Sequence, residues 1–191
     1  MMFSARLAAL MVATATLFIA TGDARQRAPT MGRSIATLSK VPLKSKDGAA
    51  IQLGSRIAPG KPTLIAFWAS WCMPCLIEAP YLRKIRAEHG DRYNFIYVNR
   101  REGNPDPDQP AVAVAQFLGR SGLDDTDYVI ADVAAYRQLI GKDLRDIPEG
   151  KVGLPRIYLF DRQGRQIFTS YGFSQDEGPN LERLVRKAVA K

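Results

Sequence analysis

Two stretches of the chain are apolar at nearly every position, and shorter periodic patterns surround them. Residues 63–68 read Thr-Leu-Ile-Ala-Phe-Trp, and residues 94–99 read Asn-Phe-Ile-Tyr-Val-Asn. A strand with no polar face is covered on both sides, as in the middle of a parallel sheet. Between them Leu76, Ala79, Leu82 and Ile85 recur at helical spacing with charges opposite, which predicts a helix over 76–89. Strand, helix, strand implies a right-handed crossover between parallel neighbours. Upstream, the alternating runs 41–44 and 50–53 flank Lys46-Asp47-Gly48, and Asp-Gly between such runs marks a hairpin. Downstream the pattern predicts helices over 111–118 and 134–140, with a strand over 128–131 between them. A strand pair over 156–160 and 165–169 follows, then a closing amphipathic helix over 181–190. Residues 104–110 and 142–150 are loops by composition. The fold class is α/β: a central mixed sheet with helices on both faces, extended by an N-terminal β-hairpin.

The first segment has a different character. Arg6 precedes an apolar run from Leu7 to Ala20 broken only by two threonines. A positive start, a short apolar stretch and small residues form a secretory signal peptide, and cleavage after Ala24 puts Gly22 and Ala24 at the small-residue positions. The alternative is an uncleaved inner-membrane anchor over residues 7–22, shorter than the roughly 20 residues a spanning helix needs. Either reading exports the folded part, to a periplasm where a pair of thiols meets oxidising conditions. The expected organisation is residues 1–24 as signal or anchor, 25–40 as a flexible lead-in, and 41–191 as one domain.

Composition narrows the chemistry. The chain has 191 residues, 46% of them hydrophobic, which excludes general disorder. Two cysteines and one histidine cannot fill a tetrahedral zinc site or build a multi-disulfide scaffold. The net charge is +8, but the basic residues are spread along the chain beside acids, so no nucleic-acid partner is expected. His89, at the far end of the first helix, reads as a surface residue.

The candidate chemistry lies at the junction of the first buried strand and the first helix, where Trp71-Cys72-Met73-Pro74-Cys75 stands. A disulfide there closes only four residues and contributes about 2 kcal/mol by loop entropy, so a purely structural role is a poor one. At a helix start unpaired N–H groups favour a thiolate on Cys72, and Cys75, one turn in, is within reach to resolve a mixed disulfide. Pro74 lacks an N–H that the first turn leaves unpaired anyway.

Residues 60–80, with Trp-Cys-x-Pro-Cys-x-x-Glu-x-Pro after an apolar strand, resemble the thioredoxin-like TlpA/ResA group of exported thiol–disulfide oxidoreductases. The resemblance runs from about Val41 to the C-terminus and implies a thioredoxin fold. It implies a redox pair, with Cys72 as nucleophile and Cys75 as resolving thiol, joined as a disulfide when oxidised. It makes Glu78 a candidate for proton transfer, the alternative being an ordinary exposed helix acid. It places Pro80 as a helix-bending proline and Pro155, in Val152-Gly153-Leu154-Pro155, as a cis proline packed on the disulfide. Trp71, Met73, Leu154 and Arg156 are the expected substrate-binding surface. The chain departs from the group with Arg156-Ile157 after the proline and Asn99-Arg100-Arg101 after the second core strand. Arg100, Arg101 and Arg156 are therefore expected as a basic rim that steers a client. Residues 142–150 also look longer than the group's link.

The activity implied is reduction of a client protein's disulfide, in cytochrome c maturation or copper-oxidase assembly, with electrons from a membrane thiol carrier. No cofactor is expected. One alternative is a metallochaperone holding Cu(I) on the two thiolates, with Met73 adding a thioether. Another is an oxidase or isomerase that uses the same sulfurs with the opposite poise. The Thr-x-x-Cys arrangement of peroxidases is absent.

Overall fold

A computed structural model describes residues 33–100, 109–124, 126–141 and 153–190. The expected signal or anchor, the first part of the lead-in, Arg101 and the loop 142–150 lie outside these residues. The elements in chain order are α1 (Ile35–Leu38), β1 (Pro42–Ser45), β2 (Ala50–Gln52), β3 (Thr63–Trp68), α2 (Met73–His89), β4 (Asn94–Arg100) and α3 (Gln109–Ser121). They continue with β5 (Tyr128–Ala131), α4 (Val133–Ile140), β6 (Arg156–Phe160), β7 (Gln166–Tyr171) and α5 (Glu177–Ala190).

The strands form one mixed sheet in the order β2-β1-β5-β4-β3-β6-β7. β3, β4 and β5 are parallel neighbours, while β6 and β7 add antiparallel beside β3. The hairpin β1–β2 extends the far edge, pairing Lys44 with Ile130 and Ser45 with Val129. Every residue of β3 is buried, as its unbroken apolar run requires. Alternation along the central strands divides the core in two. Leu64, Ala66 and Trp68 meet α2, α3 and α5 on one face, whereas Ile65 and Phe67 meet α1 and α4 on the other.

Two expectations are corrected. The flexible lead-in is folded from Arg33 onward. Ile35 donates its N–H to the Gly164 carbonyl at 2.8 Å, Leu38 enters the core, and the Arg33 guanidinium binds the Leu139 carbonyl at 2.7 Å. Gly164 sits at φ +74°, and a Cβ there would lie 2.5 Å from Ile35, so this turn and the lead-in fit only with glycine. His89, expected at the surface, is buried. The last turn of α2 folds over Tyr93, and burial together with nearby Arg92 lowers the imidazole pKa.

Candidate active site

Cys72 is the N-cap of α2, following a turn in which its N–H donates to the Ala69 carbonyl at 3.0 Å. Met73 and Pro74 open the helix, and the Cys75 N–H donates to the Cys72 carbonyl at 3.1 Å. This tight first turn sets the two Cα atoms 5.3 Å apart, and the sulfurs are joined as a disulfide. Both cysteines are buried, Cys72 at 3% exposure and Cys75 at 1%. The helix therefore presents its positive end to Cys72, where a thiolate forms on reduction.

Pro155 reaches the same place from β6. The antiparallel register pairs Phe67 with Arg156, so Pro155 stands level with Trp68 at the end of β3. The Leu154–Pro155 peptide is cis. The Pro155 carbonyl accepts from the Gly172 N–H at 2.9 Å, and the Tyr136 hydroxyl donates to the Gly153 carbonyl at 3.4 Å. Leu154 packs against the core that contains both cysteines.

Beneath the disulfide lies an aromatic floor. Trp68 stacks on Tyr97 at 4.9 Å and on Phe117 at 4.6 Å. Glu78 projects into this interior at 2% exposure, not to solvent as an ordinary helix acid would. It follows Cys75 by three residues, on the same helix face. Burial raises its carboxyl pKa well above the usual value, and the charge of Glu177 adds to the rise. Burial, and then the charge of Glu78, likewise raise the Tyr97 hydroxyl. The Trp68 indole nitrogen and the Tyr97 hydroxyl find no hydrogen-bond partner among the described residues.

Above the disulfide the surface is apolar. Trp71 is 50% exposed and Met73 58%. Ile77, at 57%, joins them although the sequence reading passed over it. The signal was present, because Met73 and Ile77 are four apart and share a helix face. Arg156 does not belong to this surface. It is 3% exposed, on the opposite face of the sheet, with its guanidinium 5.9 Å from the Tyr158 ring centre and 5.2 Å from that of Tyr171. Arg100 is partly buried on that same face, 5.6 Å from the Tyr136 ring centre. The expected basic rim is thus corrected at Arg156 and Arg100, and Arg101 lies outside the described residues. Strand alternation turns residue 156 away from the disulfide while Ile157 faces the core beneath it.

The family model for Redoxin matches residues 24–185. The chain belongs to the Redoxin family. A thioredoxin-like protein of Synechocystis is 43% identical to this Redoxin chain over 97 residues, which are 51% of the chain and 72% of that protein. The thiol:disulfide interchange protein CycY of Rhizobium leguminosarum is 30% identical over 144 residues, covering 69% of the chain and 64% of CycY. The chain spans about half, 51%, of the Synechocystis TxlA homologue. Among solved structures, a thiol:disulfide interchange protein of Chlorobium tepidum superposes with TM-score 0.56 at 21% identity, covering 83% of this chain and 98% of that one. A secreted Mycobacterium tuberculosis disulfide oxidoreductase gives 0.53 at 18%, covering 82% and 98%. The thioredoxin fold and the membership in the thioredoxin-like thiol–disulfide oxidoreductases follow, with Cys72 and Cys75 as the Cys-x-x-Cys pair.

Proposed function

We propose that the chain is an exported reductant of protein disulfides in which Cys72 attacks, Cys75 resolves and Glu78 carries the proton. The observation that carries this reading is a buried disulfide at a helix start, roofed by exposed Trp71 and Met73 and underlain by a buried carboxyl. In the reduced protein the Cys72 thiolate attacks a client sulfur, and the client's other sulfur leaves as a thiolate. When Glu78 is ionised, Cys75 gives its thiol proton to that carboxylate and attacks the Cys72 sulfur. The internal disulfide forms, the second client sulfur leaves, and it takes a proton from Glu78 or solvent. Two electrons pass to the client and none are left over. Pro155 and Leu154 form one wall of the client groove, Trp71 and Met73 the other.

The periplasm as compartment rests on the signal-like residues 1–24. The clients in cytochrome c maturation or copper-oxidase assembly, and the membrane thiol carrier that re-reduces the pair, rest on the resemblance to the TlpA/ResA group. Among the described residues no helix is long and apolar enough to cross a membrane, and no three His, Cys, Asp or Glu side chains cluster to hold a metal ion.

The test is an insulin-type disulfide reduction assay. Cys72→Ser abolishes turnover, and Cys75→Ser accumulates a mixed disulfide with the substrate. Equilibration against glutathione then sets direction: a pair more reducing than glutathione supports the reductant, and a more oxidising one makes the protein an oxidase. Wild-type turnover by both serine variants removes the redox reading. Tight Cu(I) binding by an inactive protein would put a metal carrier in its place.

A further inference from the structure

Gly153, Leu154 and Pro155 lead into β6, and their backbone is held from two sides. β7 holds one end, where the Gly172 N–H donates to the Pro155 carbonyl at 2.9 Å. α4 holds the other, where the Tyr136 hydroxyl donates to the Gly153 carbonyl at 3.4 Å. Gly153 stands at φ +67°, a turn that glycine makes without steric cost. Tyr136 belongs to the core on one face of the sheet, whereas Cys72 and Cys75 belong to the core on the other. Leu154 packs against both cores. A contact made behind the sheet is therefore felt at the residue that flanks the sulfurs.

The helix that carries Tyr136 is fixed at both ends. Asp132 caps its first turn, accepting the Ala135 N–H at 2.8 Å, and the Arg33 guanidinium binds the Leu139 and Ile140 carbonyls at its last. Between them the Tyr136 ring packs edge-on to Phe67 at 5.8 Å, with the Arg100 guanidinium 5.6 Å from its centre. A phenylalanine would make the same ring contacts, so packing does not account for the hydroxyl. Tyr136 is 4% exposed, and a buried hydroxyl costs free energy unless it is bonded. Burial also raises its pKa, so it stays a donor at working pH.

We propose that Tyr136 is a positioning residue for thiol–disulfide exchange: from α4, behind the sheet, its hydroxyl holds the Gly153 carbonyl and so sets the Leu154–Pro155 wall on which a client disulfide docks. The proposal rests on the reading of Leu154 and Pro155 as one wall of the client groove and is independent of the direction of exchange. Tyr136 touches no reacting atom, and no proton or electron passes through it. Its contribution is preorganisation. A wall already held in place does not have to be ordered when the client arrives. Loss of the bond therefore weakens docking and leaves the sulfur chemistry that follows docking as it was.

The experiment uses Tyr136→Phe in the full chain, which keeps the ring and deletes the hydroxyl. The contact is read by NMR with isotopes at glycine carbonyls and leucine nitrogens. Gly122–Leu123 and Gly153–Leu154 are the two Gly–Leu peptides of the chain, so two carbonyl signals are selected. Leu154→Ala removes the Gly153 signal and thereby assigns it. In Tyr136→Phe the Gly153 signal is expected to shift and the Gly122 signal to stay. In steady-state reduction of a protein disulfide, KM rises about threefold with kcat unchanged, the modest effect of one long hydrogen bond. A residue that serves stability alone lowers the urea midpoint and leaves KM where it was. An unmoved Gly153 signal, or an unchanged KM in Tyr136→Phe while Leu154→Ala raises it, overturns the proposal. An unchanged KM in Leu154→Ala overturns the groove-wall reading instead, and the two results come from different variants.

Discussion

Burial acts strongly on Glu78. Desolvation raises its carboxyl well above the ordinary value of 4.5, so the folded chain keeps a proton that the unfolded chain releases. The sign follows from linkage. Below the unfolded value both states are protonated and the contribution to stability is complete. It is lost as pH rises through the folded midpoint. Glu78→Gln removes this dependence. Urea midpoints of the oxidised proteins are expected to agree near about pH 4 and to separate towards about pH 8, with the variant the more stable at the upper end. The opposite divergence would mean that the fold stabilises the carboxylate. Burial at single positions was the least legible property of this sequence. The motif announced Cys72, Cys75 and Pro155, and the pair and the cis peptide stand where it implied. His89 and Arg156 look like surface residues by type, yet tertiary packing covers both. Nothing local in a sequence says that a guanidinium will lie against Tyr158 and Tyr171.

At the scale of elements, the doubly apolar runs and the Asp-Gly turn located β3, β4 and the hairpin because burial on two faces leaves no polar position. Helix starts were harder to read. α5 begins at Glu177, ahead of the expected residue 181, because Gly178 and Pro179 resemble breakers. Proline in a first turn gives up no internal hydrogen bond, and Gly178 is there for closeness to Tyr81. α3 likewise runs through Gly119 to Ser121, beyond the stop its glycine suggested. The glycine at 178 makes a stability prediction. Alanine in a helix ordinarily gains about 1 kcal/mol over glycine. Here the added methyl collides with the root of an aromatic ring, and overpacking of this kind costs about 1–3 kcal/mol. Gly178→Ala is therefore expected to lower the urea midpoint with an unchanged slope. A rise would show that α5 slides along α2 without penalty. The Lys84–Glu182 pair beside it contributes less, because Lys84 is 53% exposed and water screens its charge.

At the scale of the whole molecule, the partner surface follows from where charge is missing. The net charge of +8 is distributed over the chain, and Arg156, the cation next to the cis proline, is turned to the other face of the sheet. Reversing Arg156 would thus test the fold more than encounter with a client. What flanks the cysteines in the chain is Trp71 and Met73, with Ile77 one turn beyond Met73 on the same helix face, three large apolar side chains each at least half exposed. Sulfur–sulfur exchange needs close approach, and an apolar surface offers it without the desolvation that charges demand. The few buried contacts at the centre of such an interface carry most of its energy. Ile77→Lys is the informative change, because Ile77 is solvent-facing and one helical turn beyond Met73. It is expected to slow reduction of a protein disulfide about tenfold, corresponding to roughly 1.4 kcal/mol at one contact. Reduction of a small neutral disulfide, which needs no such contact, stays near the wild-type rate. Because the loss is in docking, added salt restores little of it, whereas a defect in long-range steering would shrink as ionic strength rises. Equal slowing of both substrates would show that Ile77 acts on the cysteines through α2, and the apolar docking surface would then exclude it.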